Sequence, residues 1–419
     1  MADRKAIENL GASQEFAGIV KRLYGEGKLE YQIGRYKELY DVHSKKYGEG
    51  GVFYSSPGRI EVCGNHTDHN NGKVLCASIT VDTLACVTEC EDKVIVESIG
   101  FSPIEVSLND VLSKKDEEGK AIALVRGVLA YFKMCGLKVG GFCATTTSDV
   151  FRGAGVSSSA CFEVLICEIF NQMFNDGKVD KLTKAKAAHF AETEYFAKPC
   201  GLLDQSAIAF GGVSYIDFKS TKAPTYKSID WEFDDLNIVL INTGGDHSDL
   251  TDQYASIRLE MEEVAKEMGA KKLRSVKEKD FYDSIPNLQK KVSGRAILRA
   301  MHFFEENKRV NTCANAVKSK NERKFCDMIN SSGESSYKTL QNCYPYGDVA
   351  QRIPLAINLS KRYDGVKAVR VHGGGFAGTI IAYVDKSKCN SYVEYMKSVF
   401  GDKDVFVIGV RNDGTTKLF

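Results

Sequence analysis

Apolar residues fall at helical spacing from Glu15 to Tyr24 and again from Glu30 to Tyr47, where Gly48-Glu49-Gly50-Gly51 ends the run. Val52-Phe53-Tyr54 opens a strand that leads into Pro57-Gly58-Arg59, and the β-branched stretch from Val74 to Cys90 predicts strand broken by turns. Helical spacing returns from Ala121 to Phe132. Gly141 to Thr147 predicts a strand, and Ala160 to Phe174 is apolar on most sides, as a buried helix is. Asp180 is placed to cap a further helix that runs through Phe196. The pattern changes after Gly211-Gly212. Asn237 to Asn242 predicts a strand, and Gln253 to Met268 and Lys290 to Asn307 predict helices. Val366 to Val371 and Thr379 to Val384 predict strands around a glycine-rich turn, followed by a helix from Ser387 to Phe400 and a closing strand from Val405 to Val410. No internal repeat or low-complexity segment is present. This mixture predicts an α+β fold of two lobes, residues 1–212 and 213–419, meeting at a cleft.

Length supports the two lobes, because 419 residues exceed one ordinary hydrophobic core. Charge narrows the partners. With 56 basic and 55 acidic residues the chain carries +1, so nothing demands nucleic acid or an acidic membrane. An anionic ligand must then be held by local groups. The thirteen cysteines lie in apolar runs without a Cys-x-x-Cys pair, which argues against zinc and disulfide-exchange chemistry. Their odd number and the lack of a secretory leader predict reduced thiols in a cytoplasm. No apolar run reaches membrane-spanning length.

Three segments concentrate chemistry. In Arg152-Gly153-Ala154-Gly155-Val156-Ser157-Ser158-Ser159-Ala160, small residues run into three hydroxyls and then into a helix. Glycines permit close backbone approach, and free N–H groups at a helix start attract anions. Gly153, Gly155, Ser157, Ser158 and Ser159 are therefore candidate phosphate ligands, although a serine-capped helix after a tight turn gives the same pattern. The second segment is Pro57 to Gly72, a loop between strands that carries Arg59, Asn65, His66, Asp68 and His69. Arginine offers a planar fork suited to phosphate, and Asp68 can accept hydrogen bonds from sugar hydroxyls. A metallohydrolase cluster is the rival reading, but Gly64 stands where a leading histidine is needed. In the third, Glu192 and Asp204 flank Pro199-Cys200-Gly201. A carboxylate facing a phosphate loop suits Mg²⁺. An aspartate among leucines needs a cation, for which Arg59 is the candidate, either as a catalytic pair or as a structural one. Gly373-Gly374-Gly375-Phe376-Ala377-Gly378 adds a turn suited to close backbone approach.

In this order, the segments resemble the GHMP family of small-molecule kinases and, within it, the galactokinases, from about Tyr54 to the C-terminus. Pro57-Gly58-Arg59 with Gly64-x-His66-Thr67-Asp68 is similar to the family's sugar-binding signature, and Gly155 to Ala160 to its ATP motif. Cys200 to Gln205 is similar to its catalytic-aspartate segment. Asn242-Thr243 through His247-Ser248 and Tyr254 resembles a second sugar contact, and Gly373 to Gly378 a third motif. The resemblance implies a two-lobed fold with the active site between the lobes, and ATP-dependent phosphorylation of galactose at its C1 hydroxyl. Asp204 would be the base or orienting anion, with Arg59 assisting. Ser159 and Glu192 would hold Mg²⁺. Asn65, His66, Asp68, Gly201 and Tyr254 would line the sugar pocket. Five positions depart. The family usually has Asn at position 61, Glu at 65, Tyr at 69, an apolar residue at 152 and Gly at 377, where this chain has Glu61, Asn65, His69, Arg152 and Ala377. The family Glu contacts a sugar hydroxyl. Asn65 suits galactose, and equally a derivative such as galacturonate, an amino sugar or arabinose. A non-catalytic sugar and ATP sensor is the alternative of a different class.

Overall fold

The computed structural model describes residues 3–150, 155–245, 250–376 and 378–419. Arg152, Gly153, His247, Ser248 and Ala377, named above, lie outside these residues. The strands in chain order are β1 (Val52–Cys63), β2 (Lys73–Cys90), β3 (Lys93–Ser98), β4 (Ile104–Ser107), β5 (Gly141–Ser148) and β6 (Val213–Asp217). They continue with β7 (Thr225–Ile229), β8 (Leu236–Asn242), β9 (Val366–Val371), β10 (Thr379–Asp385), β11 (Val405–Ile408) and β12 (Thr416–Lys417). One eight-stranded sheet runs β12-β1-β2-β5-β3-β4, with β6 on β2 and β7 on β6; a four-stranded sheet runs β11-β8-β10-β9.

β6 and β7 extend the first sheet, which therefore runs past residue 212 to Ile229, and the strands of the second sheet begin at Leu236. β12 then returns to the first sheet, where Tyr54 pairs with Lys417. The glycines at 211 and 212 mark a turn between the helix Leu203–Phe210 and β6.

One face of the large sheet is covered by the helices Ala121–Met134, Ser158–Phe174 and Lys181–Phe190, with Val87, Phe142, Val164, Leu165 and Phe170 in the shared core. Phe53, Leu84 and Cys86 project to the other face and meet Phe16, Tyr36 and Tyr40 of the helices Gln14–Tyr24 and Leu29–Tyr47. That alternation is the period-2 pattern of a strand buried on both sides. The smaller sheet packs on Arg352–Arg362 and Cys389–Phe400. The 25-residue helix Gly294–Lys318 contacts β1 and β2 on one side and the helices Thr251–Glu267 and Glu322–Ser335 on others.

Two strand readings are corrected. Val74 to Cys90 is not broken by turns but belongs to one 18-residue strand. Pro57 does not end β1 in a loop; the strand continues to Cys63 and only 64–72 forms the connection. The pairing register shifts between Pro57 and Arg59 and again between Glu61 and Cys63. Such bulges accommodate a residue without an N–H and re-aim neighbouring side chains. Here the first precedes Arg59, which turns toward the start of the helix Ser158–Phe174.

Candidate active site

Arg59 forms a two-pronged pair with Asp204, Nε to Oδ1 at 2.7 Å and Nη2 to Oδ2 at 2.6 Å. Its third nitrogen donates to the Gly155 carbonyl. Arg59 is nearly buried, whereas the Asp204 side chain keeps 34% of its surface exposed, so the carboxylate is the open end of the pair. Burial disfavours the Asp204 charge, but Arg59 outweighs it and holds the group below its ordinary value. Asp204 is therefore ionised at neutral pH.

Ser157 joins this pair. It precedes the helix Ser158–Phe174 with left-handed backbone angles, φ 61° and ψ 61°. A serine there ordinarily caps the helix, but the Ser157 hydroxyl donates to Asp204 instead and makes no side-chain cap. The first N–H groups of the helix are thus left without a side-chain acceptor, and the macrodipole directs them toward an anion. Ser158 and Ser159 occupy this first turn, and Gly155, with φ 66°, precedes it.

Ser159 donates to Glu192 at 3.0 Å. Glu192 is buried on a π-helical turn, Ala191–Tyr195, that continues the helix Lys181–Phe190. The same carboxylate accepts from Lys198 at 2.8 Å and Gln205 at 2.6 Å. Behind it stands Glu163, fully buried in a helix that the sequence presents as apolar; burial first, and then the charge of Glu192, push its carboxyl well up. Among the described residues no group of three or more His, Cys, Asp or Glu side chains surrounds a common point.

On the other side of Asp204, Asp68 lies against Gly201. A side-chain carbon on Gly201 would come within 1.6 Å of Asp68 Oδ2, so only glycine permits this approach. Burial and the Asp204 charge raise the Asp68 carboxyl to about 6. His66 Nε2–H donates to the Gly374 carbonyl at 3.0 Å, and the Tyr254 hydroxyl donates to the Gly375 carbonyl at 2.9 Å. Gly374 has no side chain for the same kind of reason, since one would meet the Tyr254 ring at 2.6 Å. Burial lowers His66 to about 4, leaving it neutral.

Residues 41–89 match the galactokinase galactose-binding signature, and residues 123–212 match the GHMP kinases N terminal domain. A galactokinase of Pyrococcus furiosus is 32% identical over 340 residues, 81% of this chain and 91% of that protein. The chain belongs to the galactokinase family. A galactokinase of Clostridium tetani is 28% identical over 389 residues, 91% of this chain and 97% of that protein. The crystal structure of Lactococcus lactis galactokinase complexed with galactose superposes with a TM-score of 0.81 at 25% identity, over 91% of this chain and 99% of that one. A Methanococcus jannaschii mevalonate kinase, at 15% identity and a TM-score of 0.61, shares the fold.

Two departures from the galactokinase pattern prove to be one feature. Asn65 is fully buried and its amide is spent within the protein. Nδ2 donates to Glu61 at 3.0 Å and to the Gly373 carbonyl at 2.7 Å, while Oδ1 accepts from Asn342 at 2.9 Å and Ser336 at 3.3 Å. Glu61 in turn pairs with Arg370 at 2.6 Å. Carboxylate and amide have exchanged positions, which avoids two buried acids side by side. All four hydrogen-bonding positions of the Asn65 amide are filled within the protein, so in this arrangement it offers none to a sugar.

The sequence reading missed the group that holds this loop. His302, Glu306 and Arg309 lie along one face of the helix Gly294–Lys318. Glu306 Oε1 accepts from the Gly64 amide at 2.9 Å, the Asn65 amide at 3.3 Å and Ser332 at 2.6 Å, and Arg309 pairs with its other oxygen. His302 Nε2–H donates to the Asn65 carbonyl at 2.9 Å. Their spacing of four and then three residues is a polar stripe at helical period, the available sequence signal.

Proposed function

We propose that this protein is an ATP-dependent sugar 1-kinase that transfers the γ-phosphoryl group to the C1 hydroxyl of galactose, giving galactose 1-phosphate. The observation that carries the reading is the position of Asp204, held by Arg59 and Ser157 at the start of a helix and facing Asp68. The helix N–H groups and Ser158 bind phosphate oxygens, while Asp68, His66, Gly201 and Tyr254 bound the sugar side. Asp204 orients the attacking hydroxyl. Its lowered proton affinity makes it a weak base, so it takes the proton late, as suits a loose phosphoryl-transfer transition state in which positioning and charge do most of the work. Arg59 keeps Asp204 charged and offsets negative charge on the transferring group.

Ser159 and Glu192 supply oxygen donors suited to Mg²⁺, which ordinarily keeps several waters and binds through one or two protein oxygens and phosphates. When bound, that ion neutralises charge on the nucleotide phosphates. Lys198 and Gln205 hold Glu192 in the orientation that Ser159 shares. The thirteen cysteines are all free thiols, which supports a reducing, cytoplasmic setting. Among the described residues no helix is long and apolar enough to cross a membrane.

Preference for a C6-acid would need the Asn65 amide in contact with the sugar, and that amide is bonded within the protein. Coupled ADP release over galactose, galacturonate, galactosamine and arabinose tests the assignment. Galactose should give the highest kcat/KM; no turnover with any aldose would remove the reading.

Two further outcomes follow from Asp68. Gly201→Ala should lower kcat/KM for the sugar about a hundredfold, the cost of displacing a reacting group by about an ångström, while a calorimetric scan still shows a cooperative transition. Unchanged kcat/KM would mean that the contact lies outside the pocket. Asp68 accepts sugar hydroxyls best as a carboxylate, so kcat/KM for galactose should fall as pH drops through about 6. Asp68→Asn should abolish that limb of the profile.

A further inference from the structure

The third glycine-rich segment contributes more than a turn. His372 and Thr379 face each other across the start of the β9–β10 hairpin, where the His372 amide donates to the Thr379 carbonyl at 2.9 Å. Both residues are 2% exposed. His372 Nε2 accepts from the Glu61 amide at 3.0 Å, two residues beyond Arg59. An accepting Nε2 places the proton of the neutral ring on Nδ1. Burial, followed by the charges of Arg59 and Arg370, lowers His372 well below its ordinary value and keeps the ring neutral.

Neither His372 Nδ1 nor Thr379 Oγ1 has a hydrogen-bond partner among the described residues. Both lie beside Gly155. A side-chain carbon built on Gly155 would lie 3.3 Å from Nδ1 and 3.5 Å from Oγ1. Gly155 leads into the uncapped start of the helix Ser158–Phe174, and its carbonyl already accepts from Arg59. A buried donor without an acceptor is costly, and two of them beside one glycine turn at an uncapped helix start need a common explanation.

We propose that His372 Nδ1–H and the Thr379 hydroxyl donate to oxygens of the nucleotide's terminal phosphate, bringing the C-terminal lobe into direct contact with the group being transferred. The inference rests on the kinase reading above and adds two donors to it. Arg59 approaches the phosphate from β1, the helix N–H groups from the N-terminal lobe, and His372 with Thr379 from the smaller sheet. Transfer then requires both lobes, because charge developing on the terminal phosphate is met from each.

Two replacements separate the ring's nitrogens. In His372→Gln the terminal amide oxygen reaches the place of Nε2 and keeps the Glu61 contact, while the Nδ1 donor is lost. In His372→Asn the amide nitrogen takes the place of Nδ1, while the Nε2 acceptor is lost. With galactose and Mg-ATP, His372→Gln should lower kcat about a hundredfold, the loss typical of one donor to developing charge, with sugar KM and melting temperature close to those of the unsubstituted protein. His372→Asn should melt lower yet keep kcat within about tenfold of the unsubstituted protein, because the donor survives. A loss of kcat as large in the Asn variant as in the Gln variant, or no loss in the Gln variant, overturns the proposal and leaves the ring as a strut for β1. If neither variant folds, Thr379→Val decides: kcat about a hundredfold lower at unchanged sugar KM supports the contact, and unchanged kcat overturns it. An unsubstituted protein that phosphorylates no sugar overturns the kinase reading as well, whereas an active enzyme indifferent to these changes overturns only this inference.

Discussion

Asp204→Asn should lower kcat for galactose phosphorylation about a thousandfold, within the range expected when a positioned acid–base group is removed. The amide keeps an oxygen for the Arg59 fork, so the loop between Cys200 and the helix Leu203–Phe210 stays in place. On the proposed reading, the charge that orients the C1 hydroxyl is what disappears. KM for ATP should change little, because the N–H groups proposed to bind phosphate belong to the helix Ser158–Phe174. Steady-state kinetics with the folded variant checks this. Full activity in the Asn variant would reduce the Arg59–Asp204 pair to a structural ion pair. The same variant separates enzyme from sensor, because a protein that binds sugar and ATP without turnover has no rate to lose.

Glu306→Ala is expected to be the most destabilising single change away from the cleft. It removes a fully buried carboxylate from Arg309 and from the amides of Gly64 and Asn65, which then have no acceptor. Breaking one side of a buried pair costs about 3–5 kcal/mol, and urea unfolding should show a loss of that size. Glu306→Gln, which keeps hydrogen bonding but not charge, should lose less. A change below about 1 kcal/mol in the Ala variant, the usual scale of a surface pair, would contradict the account. Acid acts in the same direction. Burial works against the Glu306 charge, but His302, Arg309 and Arg370 outweigh it and lower its proton affinity in the fold. Its contribution is complete above the ordinary carboxylate value of 4.5 and is lost as pH falls below it.

The candidate groups were legible because each lies in a compact run of the sequence. Glycine before serine before an apolar helix marks a turn into a helix by local rules alone, and Ser157 to Ser159 lie at that turn. The partnership of Arg59 with Asp204 spans 145 residues, yet it followed from the cost of an unpaired acid among leucines. What escaped were contacts that no local rule encodes. The family resemblance implies that Asn65 lines the pocket, but its amide turns inward to Glu61, Asn342 and Ser336. Glu61 and Asn65 are four residues apart on either side of a bulge, and only the fold shows that their exchange keeps one carboxylate in a shared network. Glu306 and His302 lie in a helix whose periodicity predicts packing and gives no hint of what its polar stripe touches. The run of the first sheet past residue 212 was not legible for a similar reason. A pair of glycines marks a turn whether or not the next strand stays in the same sheet, and β6 stays.

The most direct measurement is ³¹P nuclear magnetic resonance of the purified protein incubated with galactose, ATP and Mg²⁺. Equal growth of ADP and of a phosphomonoester resonance coupled to the anomeric proton is the predicted result. ADP with inorganic phosphate alone, or a phosphate attached to any carbon other than C1, would contradict the account.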